Sequence, residues 1–289
     1  NHPTTRQGAK VMAARGVNVP PGIAVQSLAE VPAAAKAMAS PEDNQVVVKS
    51  QILAGGRGLG KFTNGFQGGV HVCDVADAPE IAKKMLGGTL VTKQSGPGGK
   101  PVNTLLIAKK LKLAREMYLA ILLDRKAAGP VLVACSEGGT SIEDLAEEFP
   151  DKIRKINIDP RQGLTDAQAS EAVAALEIKG DKEAAKAQIK ALYKTFAECD
   201  CTMVEVNPLA ETADGVVVAA DAKLGFDDSA GFRQKELFAM RDASQEDPRY
   251  VRGRGGCGGW EVGGTSSSAA EKSKDQNSHL FLSFILFFF

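Results

Sequence analysis

The sequence predicts an α+β fold, and three observations carry that prediction. Short β-branched runs and Ala-rich amphipathic stretches follow one another without strict βαβ alternation, which favours α+β lobes over one doubly wound sheet. Hydrophobic residues make up 44% and charged residues 24%, ordinary for a soluble globular protein. At about 150 residues per domain, a chain of 289 residues has material for two domains and a sizeable core.

Taken in order, residues 5–15 and 28–39 read as Ala-rich helices. Ser27 opens the second and Ser40-Pro41 closes it, because Pro cannot continue a helix interior. Val46-Val47-Val48, ending in Lys49, reads as a buried strand, and a glycine-laden loop follows from Gly55 to Gly69. Val70–Cys73 reads as a strand and Pro79–Leu86 as a helix; Leu90–Thr92, Leu105–Ala108, Met117–Leu123 and Pro130–Ala134 read as further strands. The turn Gly96-Pro97-Gly98-Gly99 suggests a hairpin joining Leu90–Thr92 to Leu105–Ala108. Helices are expected over 141–147, 166–175 and 181–198, the last with apolar spacing at Ala185, Ile189, Leu192 and Phe196. Met203–Val206 and Val216–Ala220 are expected to pair across Thr212–Gly215.

Composition removes several function classes. Lys plus Arg total 35 and Asp plus Glu total 35, so no net charge recommends a nucleic-acid or acidic-membrane partner. Aromatics are 6%, too sparse for base-stacking platforms. The 5 cysteines are odd in number and without framework spacing, which argues against a disulfide-stapled secreted fold. The 3 histidines are scattered, which argues against a His-rich metal site or a local Ser-His or Cys-His pair. Cys199-Asp200-Cys201 lacks neighbouring zinc ligands and reads as helix-end core; His71, between Val70 and Val72, reads as packing.

The richest chemical signal is Ala54-Gly55-Gly56-Arg57-Gly58-Leu59-Gly60-Lys61. Gly55 to Lys61 fits the start of a phosphate-binding P-loop, but Phe62 stands where Ser or Thr should hold Mg²⁺. Residues 63–69 are turn-like, with no helix N-terminus to receive phosphates. The dinucleotide fingerprint fails too, since Lys61 stands where its third glycine belongs. A simpler physical reading survives. Successive glycines let backbone N–H groups approach an anion closely, Arg57 adds a guanidinium, and Lys49 could add a point charge. The bland alternative is a surface loop with solvated basic residues.

A second constellation is Glu205-Val206-Asn207-Pro208, with Asp221 further along. Strand alternation would put Glu205 and Asn207 on one face, and a hairpin through Asp214-Gly215 would fold Asp221 beside them. A carboxylate and an amide carbonyl are hard oxygen donors that suit Mg²⁺ completed by phosphates and water. The plain alternative is a turn-capping Asn before Pro and a solvent-facing Asp. Basic cradle and oxygen-ligand site together outline a cleft for Mg-nucleotide.

These residues carry a family likeness. VVVKSQILAGGRGLGKF, EMYLAILLDR, EGGTSIEDLAEEFP, MVEVNPLAE, AADAKLGFDD and FRQKELFAMRDASQEDPR strongly resemble the β-subunit of succinate–CoA ligase in its plant-like mitochondrial, ADP-forming form. The resemblance covers roughly residues 7–250 and implies an ATP-grasp fold of two α+β lobes clamping a nucleotide. It implies that Lys49, Gly56, Arg57 and Gly58 contact nucleotide phosphates and that Glu116 contacts the nucleotide, with residues 108–111 lining the base. It implies that Asn207 and Asp221 are Mg²⁺ ligands and that Glu205 steadies a phosphohistidine presented by the α-subunit. The implied reaction interconverts succinyl-CoA, ADP and phosphate with succinate, CoA and ATP. A related ATP-grasp CoA ligase acting on malate and a non-catalytic truncated product are the alternatives.

Three departures from the family pattern are visible. The chain starts NHPTTRQ, unlike the family; Lys109 stands in the hinge where relatives carry an acid; and the flavodoxin-like domain expected after 244–249 is missing. In its place seven of the twelve residues 253–264 are glycine, followed by a Ser-rich stretch and the apolar end LFLSFILFFF. The expected division is therefore a nucleotide-binding domain over 1–250 and a flexible, non-family tail over 251–289, such as intron read-through or a shifted frame. The apolar end falls far short of the roughly 20 residues that span a bilayer. No transit or signal sequence is visible, so a mitochondrial location would need a targeting segment upstream of Asn1. With the second domain missing, the chain alone is expected to be inactive in the full reaction.

Overall fold

In a computed structural model, residues 3–242 and residue 245 are described, so the expected tail over 251–289 and the boundary at 250 lie outside the described residues. The chain divides into two units, Asn1–Arg241 and Asp242–Phe289, and the described strands and helices belong to the first.

Within that unit the strands and helices sort into two lobes, each with its own core. Helix α1 (Thr5–Ala13) starts the chain, with Gln7 accepting from the Thr4 backbone N–H at 2.8 Å. Strand β1 (Gly22–Val25) and helix α2 (Val31–Met38) follow. The first lobe continues through β2 (Gln45–Ser50), β3 (Lys61–Phe62), β4 (Val70–Asp74), α3 (Ala78–Met85), β5 (Thr89–Val91), β6 (Lys100–Pro101) and β7 (Leu105–Lys109). Its main sheet is antiparallel in the order β1-β7-β2-β4, and β3-β5-β6 form a small second sheet. Side chains alternate along β2, so Val46 and Val48 join Val25, Leu105 and Ile107 in a core covered by Val31, Ala35, Ala82 and Met85. The opposite face carries Gln45, Val47 and Lys49.

The second lobe holds β8 (Leu113–Asp124), β9 (Gly129–Cys135), α4 (Ile142–Glu148), β10 (Ile153–Asn157), α5 (Asp166–Ala175), α6 (Lys182–Glu198), β11 (Cys201–Thr212), β12 (Val217–Ala219), β13 (Ala222–Phe226) and α7 (Lys235–Ala239). The strands run β10-β9-β8-β11-β12, and β13 also pairs with β11. Asp181 caps α6 by accepting from Glu183 and Ala184 N–H groups, and Ala185, Ile189, Leu192 and Phe196 face the sheet at the predicted spacing. Each such fully buried Leu or Ile contributes about 1.5–3 kcal/mol. Helix α1 also packs here, with Val11 and Met12 in this core and Gly8 passing Leu224 so closely that a Cβ would lie 2.9 Å from its Cδ1.

Three sequence expectations need correction. The turn at Gly96–Gly99 joins β5 to β6, whereas 105–109 pairs with β1 and β2 in the main sheet. The hairpin after Thr212 brings β12 against Leu209–Glu211; residues 203–206 pair instead with β13. A β-bulge between Val206 and Leu209, at the cis Asn207–Pro208 bond, separates the two pairings. The expected helix over 28–39 opens as a 3-10 turn, Leu28–Glu30, before α2. The short strands β1, β3, β6, β10 and β13 escape the sequence reading, because two- to five-residue runs without strong alternation give little periodic signal.

Candidate active site

The loop after β2 forms a 3-10 turn, Arg57–Leu59, and no α-helix follows it, which agrees with the rejection of a P-loop. Gly56 enters the turn at φ +69°, a left-handed conformation that glycine adopts without steric cost. Gly69 closes the loop by donating to the Arg57 carbonyl at 2.8 Å; a Cβ there would lie 2.5 Å from Ser50 Oγ. Gly55 donates to Gln94 Oε1 at 2.8 Å. A Cβ on Gly58 would meet open space, so nothing in the packing demands glycine there.

Arg57 does not reach into solvent. Its side chain is 6% exposed, with Nη1 donating to the Ser50 carbonyl at 3.0 Å and Nη2 reaching both oxygens of Asp221 at 2.8 and 2.6 Å. Lys49, on the face of β2 away from the first-lobe core, donates to the Ala220 carbonyl at 3.3 Å. The two cations of the first lobe therefore converge on consecutive residues of the second. Burial pushes the Lys49 ammonium down, Asp221 pulls it up and Arg57 adds to the lowering; the net is a lowered value. Burial would raise the Asp221 carboxyl, but Arg57 and then Lys49 outweigh it and hold it below the usual range.

Asn207 lies directly beside Asp221, its backbone N–H donating to the Asp221 carbonyl at 3.0 Å. Its side chain is clamped by the loop after β9: Gly139 N–H donates to Oδ1 at 2.9 Å and Nδ2 donates to the Thr140 carbonyl at 2.6 Å. The Glu116 carboxylate lies over the same loop, where a Cβ on Gly139 would come within 2.3 Å of Oε2. Glu205 is 3% exposed and sits opposite Lys223 on β13, Nζ to Oε2 at 3.2 Å. Burial raises its carboxyl above the usual range, Lys223 opposes that, and Glu143 and Asp221 add to it. Tyr118 is fully buried nearby, its phenol pushed up by burial and then by Glu205 and Glu143.

Lys49, Arg57, Asn207 and Asp221 are thus brought together, with Gly56 forming the turn and Gly58 at its open side. Glu205 and Asn207 engage different partners, Lys223 and the 139–140 loop. The sequence reading missed Gln94, the Gly138-Gly139-Thr140 loop and Lys223. For Lys223 a signal existed, since it stands two residues after Asp221. His71 packs as expected, stacked on Phe66 at 4.7 Å between ring centroids, and Cys199 and Cys201 are buried at the end of α6.

Residues 5–211 match the family described as the ATP-grasp domain. The chain belongs to the ATP-grasp family. This ATP-grasp chain is 56% identical over 246 residues to the mitochondrial succinate–CoA ligase (ADP-forming) subunit beta of Solanum lycopersicum, covering 85% of this chain and 59% of that protein. The corresponding Arabidopsis thaliana protein is also 56% identical over 246 residues, covering 85% and 58%. The chain therefore spans a little under three-fifths of the length of these curated relatives. Its backbone resembles ATP citrate lyase from Methanothrix soehngenii in complex with citrate and coenzyme A, at TM-score 0.60 and 18% identity, covering 84% of this chain and 55% of that one. That likeness is one of fold.

The donors at the ATP-grasp cleft fit a magnesium ion with phosphate co-ligands. No cluster of three or more His, Cys, Asp or Glu suited to a metal occurs among the described residues. Mg²⁺ typically takes one or two protein oxygens and leaves its other positions to phosphates and water. Asp221 and Asn207, joined by one backbone hydrogen bond, each carry such an oxygen, that of Asn207 also accepting from Gly139 and those of Asp221 held by Arg57.

Proposed function

We propose that this chain is the nucleotide-binding part of a succinate–CoA ligase β-subunit, holding Mg-ATP or Mg-ADP for phosphoryl transfer. The reaction is succinyl-CoA plus ADP plus phosphate giving succinate, CoA and ATP, carried out with an α-subunit partner in the mitochondrial matrix. The observation that carries this reading is the meeting of Lys49 and Arg57 with Ala220 and Asp221 across the two lobes. Identity to the curated β-subunits supports the choice of acid and thiol substrates.

Lys49 and Arg57 neutralise the phosphates, and the turn through Gly56 to Gly58 brings backbone amides against them. Glu116, beside the loop that clamps Asn207, contacts the nucleotide. Asn207 and Asp221 would hold Mg²⁺, which when bound screens the charge that builds on the transferring phosphoryl group. Glu205 steadies the incoming phosphohistidine, which gives its phosphoryl group to the bound ADP in this direction. Positioning and charge neutralisation are the main contributions a protein makes to phosphoryl transfer. Succinate binding and α-subunit docking draw on the part of the relatives that this chain does not match.

Calorimetric titration of the 289-residue chain with Mg-ATP tests the reading. Binding is expected, and Lys49→Ala should weaken it more than tenfold. No binding by the folded chain, or unchanged affinity in the variant, would remove the proposed cleft.

A further inference from the structure

The cleft contains a third cation to which the resemblance assigned no role. Lys223 stands directly opposite Glu205 in the β11–β13 register, so both side chains leave the same face of the sheet. Its Nζ lies 3.2 Å from Glu205 Oε2, and its side chain keeps 43% exposure where Glu205 keeps 4%. The lysine therefore pairs its tip with a buried acid while its side chain stays partly open to solvent.

Its exposed part borders the glycine loop. A Cβ on Gly55 would lie 2.9 Å from both Cε and Nζ of Lys223 and 2.4 Å from Gln94 Oε1. The tip of this lysine therefore lies against the backbone that opens the Gly55–Gly60 run, beside Gln94. Lys49 and Arg57 hold the Ala220–Asp221 corner, which leads directly into β13, where Lys223 is the second residue. Lys49 and Arg57 thus meet the residues just before β13, and Lys223 on β13 meets the buried Glu205 and the Gly55 backbone.

We propose that Lys223 contacts the terminal phosphate of bound ATP, the phosphoryl group exchanged between ADP and the histidine that Glu205 steadies. The inference rests on the nucleotide reading above and adds a direction to it: inner phosphates face Lys49 and Arg57, and the outermost faces Lys223. A lysine suits this place better than an arginine fork, because a compact ammonium on a flexible stem can follow a moving phosphoryl group. Loss of the cation should therefore separate triphosphate from diphosphate binding.

The test compares Mg-ATP and Mg-ADP binding by calorimetry in the 289-residue chain. Lys223→Met is expected to weaken ATP at least tenfold while ADP stays within twofold, and Lys223→Arg should restore most of the ATP affinity. An equal loss for both nucleotides, or no loss for either, overturns the assignment. If Lys223→Met does not fold, Lys223→Gln carries the same comparison with a polar tip left for Glu205. Failure of the wild-type chain to bind either nucleotide would instead remove the nucleotide reading itself, so the two failures are distinct.

Discussion

Arg57 sets one guanidinium nitrogen against both carboxylate oxygens of Asp221, at 2.8 and 2.6 Å, across 164 residues of sequence. The two partners are unequally buried, at 6% exposure for Arg57 and 31% for Asp221. Removing one member of a buried pair strands the other charge, and the penalty follows how well water can reach the survivor. Asp221→Ala strands the buried guanidinium and should cost about 3 kcal/mol. Arg57→Ala leaves a carboxylate that water reaches and that Lys49 still neighbours, and should cost about 1–2 kcal/mol. Urea denaturation of both variants measures the difference. Equal costs, or the reverse order, would show that burial of the pair does not set its energetics.

Under the proposed function, the same contact would make metal and nucleotide binding interdependent. With Arg57 on both oxygens, a metal ion reaches Asp221 only when the guanidinium turns to another anion, and a phosphate group is such an anion. Arg57→Ala should therefore raise the affinity for Mg²⁺ alone while weakening Mg-ATP more than tenfold. Calorimetry with metal alone and with metal plus nucleotide reads both changes. If both affinities fall together, the exchange does not occur.

Two glycines of the cleft should behave in opposite ways. A Cβ on Gly138 would lie 2.4 Å from the Met117 carbonyl carbon and oxygen, backbone atoms that cannot turn aside. Gly138→Ala should push the loop off β8, loosen the Gly139 and Thr140 clamp on Asn207, and cost about 1–3 kcal/mol. Gly58→Ala meets open space and should leave stability within about 0.5 kcal/mol. If phosphates approach that open side, Gly58→Ala should still weaken Mg-ATP several-fold. Paired thermal melts and ATP titrations check this, and a Gly58→Ala variant binding ATP normally would move the phosphates elsewhere.

This contrast also shows what could be read in the sequence. The proximity of Lys49, Arg57, Asn207 and Asp221 was legible because residue type and local spacing single them out. The lobe membership of α1 was not, because Val11 and Met12 find their core only through long-range packing against α6 and β13. The pairing of β11 was misread for a related reason. Alternation alone assumes an uninterrupted strand, and the irregularity at Asn207–Pro208 hands 203–206 to β13 and 209–211 to β12. Spacing from Asp221 could have singled out Lys223, but its pairing with Glu205 follows only from that corrected register.

Away from the cleft, the short link between α6 and β11 should give the protein a distinct response to acid. Asp200 adopts φ +51° there, and its carboxylate takes two hydrogen bonds from Arg233, at 2.8 and 2.6 Å, and one from Gln234 at 2.7 Å. Bonding to Arg233 lowers the Asp200 carboxyl from its ordinary 3.8 to about 2 against some desolvation, with Gln234 contributing. A carboxyl depressed in the folded state stabilises at pH values above its unfolded pKa, and that contribution is lost as pH falls toward the folded value. The window here runs from about pH 5 down to about 2, because the unfolded chain takes up the proton first. Arg233 is 55% exposed, so solvent screening reduces the contribution to about 1 kcal/mol. Asp200→Asn keeps a residue that tolerates the left-handed backbone and removes only the charge. It should be less stable than wild type by about 1 kcal/mol at pH 7, and the gap should narrow to roughly half as denaturation midpoints are followed from about pH 6 to about pH 3. A gap that stays constant over that range would mean the ion pair adds nothing beyond the hydrogen bonds an amide can also make.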